Sequence, residues 1–142
     1  MTVDALLAEG RIEAVEPDPD TARERLRIAR THLATAALAA DAGDLNGALS
    51  LLYDAARKAV AAHMLAVGYR PRARPGAHQA VTRYAAAVLG SGRHAAAVRQ
   101  FDRMRRDRNR SEYESLWLER AAVDADLAHA VAIAEAVEDA WP

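Results

Sequence analysis

Apolar residues recur at helical spacing along most of this chain, and alanine carries much of the pattern. Leu26, Ala29, Leu33, Ala36, Ala37 and Ala40 form one such stripe. Leu45, Ala48, Leu49, Leu52, Ala56, Val60, His63 and Val67 form a second, and Val123, Leu127, Ala130, Ala134, Val137 and Trp141 a third. A repeat near 3.6 residues is the signature of an amphipathic helix, and alanine and leucine favour that state. Strand-like alternation of useful length is absent. The reading is an all-α chain, folded as an antiparallel up-and-down bundle of four to five helices.

Helix boundaries follow from capping residues. Glu16-Pro-Asp-Pro19 is an acidic, helix-breaking linker, so residues 1–19 are expected to be peripheral and residues 20–142 to form the bundle. The first long helix is expected to start near Asp20 or Thr21 and to end at Gly43. Asp44 caps the second, which Gly68 closes. That helix is apolar nearly all round, so it is either central in the bundle or shared with a second subunit. Tyr69 to Gly76 reads as a loop with two prolines and three arginines, and a third helix spans 77–89. Between Arg93 and Trp141 there is no glycine or proline. Ser111-Glu-Tyr-Glu114 fits a capping box and predicts that a fourth helix ends and a fifth begins there.

The chain has 142 residues and a net charge of −1, but the charge is uneven. Residues 21–111 carry seventeen Lys/Arg against six acids, whereas both ends are acidic. Either the acidic last helix neutralises the basic segment, or a basic surface is left for an anionic partner such as RNA. The chain has no cysteine, which excludes disulfides and thiolate chemistry. His32, His63, His78, His94 and His129 form no i,i+3 or i,i+4 pair, so no metal or other cofactor is expected. His63 reads as a satisfied core histidine, and His78 as an exposed residue near a helix start. No apolar run is long enough to span a membrane and no secretory signal opens the chain, so the expectation is a soluble cytoplasmic protein.

Residues 99–113 carry six arginines on one helical segment. Arg99, Arg103, Arg106 and Arg110 share a face. Arg105 and Arg108 fall instead beside Val98, Phe101 and Met104, the inward stripe. Buried charge is costly unless paired. One reading has these two arginines ion-paired to Asp54, Glu112 or the last helix. The other has them grip a phosphate while Asn109 and Tyr113 add hydrogen bonds.

With the Asp-capped second helix, the arginine loop and Arg108-Asn109 near the end of the fourth helix, residues 20–141 resemble the HEPN family. These are small all-helical domains common in prokaryotic toxin–antitoxin and defence systems. The family signature is an arginine, usually followed by a polar residue, then a histidine four to six residues later. The resemblance implies a homodimer, RNA or a nucleotide as ligand, and a nucleotidyltransferase-type antitoxin as partner. It casts Arg108, Asn109 and Tyr113 as the catalytic set, and Arg103, Arg105, Arg106 and Arg110 line the ligand side. Many relatives are metal-independent endoribonucleases that use the ribose 2′-hydroxyl. This chain departs at the histidine, which is Tyr113. A tyrosine with a pKa near ~10 is a poor general base at neutral pH. The expected function is therefore an anion- or partner-binding module with little or no catalysis. The alternatives are an RNase toxin and a structural protein without ligand.

Overall fold

The computed structural model describes residues 1–113 and 117–142, with the Tyr113 side chain outside the description. Among the described residues the elements are α1 (Val3–Ala8), β1 (Ile12–Ala14), α2 (Pro19–Asp41), α3 (Leu45–Val67), β2 (Tyr69–Pro71), α4 (Ala77–Leu89), α5 (Ala95–Tyr113) and α6 (Arg120–Asp139). The architecture is the expected all-α antiparallel bundle. The three-residue link between α2 and α3 leaves them no other way to run than side by side and antiparallel. Among the described residues, no helix is long and apolar enough to cross a membrane.

Helix α3 is the centre of the molecule. It packs on α2, α4, α5, α6 and β2, which accounts for its all-round apolar sequence within one chain. Ala48, Ala55, Ala56, Ala59 and Ala62 of α3 are wholly buried, as are Ala29 and Ala36 of α2. Small side chains let helix backbones approach closely, so the alanine stripes make a dense interior with few aromatics. His63 is buried in α3 as the stripe predicted. Its Nδ1 lies 3.0 Å from the Tyr84 hydroxyl and its Nε2 3.0 Å from the carbonyl of Ala140. A carbonyl can only accept, so Nε2–H donates to Ala140 and Nδ1 accepts from Tyr84.

The capping residues act as their types require. The Asp44 side chain accepts from the Gly47 amide at 2.8 Å. Asp18, two residues before the expected start, caps α2 by accepting from Thr21 N at 3.1 Å, and Pro19 fills the first helical position. Gly68 ends α3 at φ 96°, a left-handed conformation that a β-carbon disfavours.

Two local expectations are corrected. Ser111 does not cap a new helix. It lies inside α5, where its hydroxyl donates to the Arg108 carbonyl at 2.9 Å, and the next helix starts at Arg120. The first nineteen residues pack onto the bundle. Leu6 and Ile12 are core residues at 0% and 1% exposure. β1 pairs antiparallel with β2, Glu13 opposite Arg70, and Val15 N donates to Gly68 O at 2.9 Å. Three-residue strands are too short to show alternation in sequence.

Candidate functional site

The inward face of α5 builds the site. Phe101 and Met104 are fully buried, and they carry Arg105 and Arg108 down beside them. The two guanidinium-bearing side chains are 18% and 25% exposed, against 64% for Arg106 on the outer face. Burial thus separates Arg105 and Arg108 from Arg106, whereas Arg103, which the spacing puts on the stripe of Arg106, faces α6.

Each inner arginine meets one acid of its own helix. Arg105 Nε donates to Asp102 at 2.8 Å. Arg108 holds Glu112 through both terminal nitrogens, at 3.0 and 2.8 Å. Asp102 also receives Arg106 at 3.8 Å, and the buried Thr82 hydroxyl of α4 lies 3.1 Å from it. Burial works to raise the Asp102 pKa, but Arg105, Thr82 and Arg106 outweigh it and hold the carboxyl below its ordinary value.

Helices α3 and α4 supply the rest. Tyr53 of α3 is 1% exposed, with its ring 5.9 Å from Phe101 and 6.1 Å from His78 of α4. One turn further along α3, Arg57 donates to Asp54 at 2.6 Å, and Lys58 reaches the same carboxylate at 2.7 Å. Burial pushes the Tyr53 phenol up to about 12, opposed by the charges of Arg57, Arg105 and Arg108. It is therefore a neutral donor at any physiological pH. Burial and the charges of Arg57 and Arg108 also lower the His78 pKa, with Asp54 opposing, so the ring is neutral near pH 7. Arg57, Arg105 and Arg108 thus act electrostatically on both Tyr53 and His78.

Among the described residues, three donors here lack an acceptor. The Tyr53 hydroxyl, Arg57 Nε and Arg108 Nε are buried and make no hydrogen bond. Buried polar atoms are nearly always satisfied, so orphans gathered in one neighbourhood mark a place where a ligand or water completes the set.

The expected site residues distribute as follows. Arg105 and Arg108 lie together with Tyr53, Arg57 and His78. Asn109 follows Arg108 on α5 and is half-buried. The side chain of Tyr113 is outside the described residues. Arg103 turns to Asp126 of α6 at 2.6 Å and is also held by Asp107 of its own helix at 2.7 Å. Arg103 and Arg110 line a cleft of about 450 Å³ with Trp117 at its edge. Tyr53 and Arg57 stand among other polar residues of α3, such as Asp54 and Lys58, and nothing in their spacing marks them in the sequence. The contact that gives them meaning comes from α5, some fifty residues away.

The HEPN domain family model matches residues 22–140. The chain belongs to the HEPN family. Neither a curated protein nor a solved structure matches it. In this HEPN domain the arginine of the resemblance, Arg108, is accompanied by a tyrosine and an arginine of α3 and a histidine of α4.

Proposed function

We propose that this HEPN domain binds an anionic ligand, RNA or a nucleotide, through Arg105 and Arg108 of α5 and Arg57 and Tyr53 of α3, with little or no catalysis. The observation that carries the reading is the trio of buried donors without acceptors beside three guanidiniums. A purely structural role for Arg105 and Arg108 would use up their hydrogen-bonding capacity internally. Arg108 instead keeps Nε unused, and its acid, Glu112, is a surface partner.

A second reading, a metal-independent endoribonuclease, is favoured by one feature. His78 is a neutral imidazole in the same cluster, and a neutral imidazole can take a proton from a hydroxyl where Tyr53 cannot. Asn109 and Tyr113 belong to the proposed set by family resemblance, as do a homodimer and a nucleotidyltransferase-type antitoxin.

Incubation with labelled single-stranded RNA in the absence of metal separates the readings. Bound but intact RNA, held more weakly by Arg108→Ala, supports a binding module. Cleavage that Arg108→Ala and Tyr113→Phe both abolish supports the nuclease with Tyr113 in the set. Neither binding nor cleavage moves the role to a protein partner. A monomer mass by light scattering would count against the homodimer.

A further inference from the structure

The same cluster carries a more specific inference, which rests on the anion-binding reading above. We propose that Tyr53, Arg57 and Arg108 form a closed seat for a terminal phosphate, so that the domain reads a phosphate monoester rather than an internal phosphodiester.

A phosphate monoester carries about −1.5 to −2 at neutral pH, whereas an internal diester carries a single negative charge. The monoester therefore gains more from the guanidiniums of Arg57, Arg105 and Arg108, each of which has, among the described residues, only one carboxylate of its own, Asp54, Asp102 and Glu112.

Tyr53 O–H, Arg57 Nε–H and Arg108 Nε–H are three donors without acceptors, and a terminal phosphate presents three free oxygens. An internal phosphate presents two, and its third and fourth positions continue into the chain.

The three donor atoms are shut off from solvent, and Tyr53 itself is 1% exposed, backed by Phe101. A strand passing through needs two open ends, whereas a chain end needs one. A phosphate would enter past Arg108, whose ion pair with Glu112 lies at the surface and opens at small cost. His78 is exposed and in ring contact with Tyr53. It is placed to lie against the nucleoside that carries the phosphate.

The test compares one single-stranded RNA oligonucleotide with a 5′-phosphate and with a 5′-hydroxyl, each labelled at the 3′ end. The expected result is at least about tenfold tighter binding of the phosphorylated form, as loss of charge-assisted bonds implies. Tyr53→Phe should erase most of that advantage. Because the variant removes an unsatisfied buried hydroxyl, its melting temperature should hold or rise. Equal affinities for the two oligonucleotides would overturn the terminal-phosphate seat and leave the RNA-binding reading standing. Retained discrimination in Tyr53→Phe would overturn the seat as drawn.

Thermal shifts with inorganic phosphate and with AMP identify the source of the phosphate. Stabilisation by AMP without RNA binding keeps the seat and makes a free nucleotide its ligand. No response to phosphate, AMP or either RNA overturns both the seat and the anion-binding reading.

Discussion

Arg103 of α5 and Asp126 of α6 meet at 2.6 Å, and the Asp126 side chain is 9% exposed. This contact fixes the last helix against the basic one. Arg103→Ala leaves Asp126 buried without its cation. Removing one partner of a fully buried pair costs about 3–5 kcal/mol, and partial solvation of Arg103 should lower this to about 2 kcal/mol. Urea denaturation should show that loss, whereas Arg106→Ala, on the outer face, should stay within about 0.5 kcal/mol of wild type.

Arg108→Ala is expected to behave differently from Arg103→Ala. Its acid is a surface residue four positions along the same helix, and such pairs contribute about 0.3–0.5 kcal/mol. Stability should therefore change by less than about 1 kcal/mol while anion binding is lost. A drop of several kcal/mol in the same denaturation experiment would make Arg108 a structural ion-pair member and remove it from the site.

The buried His63 makes stability depend on pH. In the unfolded chain it takes up a proton near the ordinary value of 6.5, but in the fold burial lowers its pKa, against the pull of the Ala140 carbonyl. Above 6.5 both states are neutral and stability is full. As pH falls below 6.5, the unfolded state binds the proton first and stability is lost toward the lower folded pKa. His78 contributes in the same direction. Melting temperatures from pH 8 to pH 5 should fall in wild type and fall less in His63→Gln.

Gly47 offers a case where helix propensity should mislead. Gly→Ala inside a helix normally gains about 1 kcal/mol. Here a β-carbon would stand 2.1 Å from Asp44 Oδ2, so the cap must move away. Losing an Asp cap costs about 1 kcal/mol, and Gly47→Ala should come out near neutral. In an Asp44→Ala background the same change should recover the full gain, a non-additivity that a double-mutant cycle measures directly.

Much of the fold was legible because its signals are short-range. Asp44, Gly43 and Gly68 act within one helical turn of themselves, and the alanine stripes state their own period. The separation of Arg105 and Arg108 from Arg106 followed from the same spacing. Ser111 shows the limit. The Ser-x-x-Glu pattern suits a helix start, yet the same hydroxyl satisfies itself by donating to a carbonyl three residues back inside a continuing helix. The site was half legible for a related reason. Arg108 stands in a recognisable motif, but Tyr53, Arg57 and His78 come from α3 and α4, and only packing around Phe101 brings them to it.

The pairing of Ile12 to Ala14 with Tyr69 to Pro71 bears on where this polypeptide can be cut. The family match begins at residue 22, beyond both Leu6 and Ile12. A fragment trimmed to the matched range would lose α1 and the capped first turn of α2, keep α3 to α6, and lack part of its interior. The seat of Leu6 would lie open as a greasy hollow, and β2 would present a bare hydrogen-bonding edge to its neighbours. Such a fragment would be prone to clump on expression. The stretch that matches the family and the stretch that shares one packed core are not the same length in this molecule.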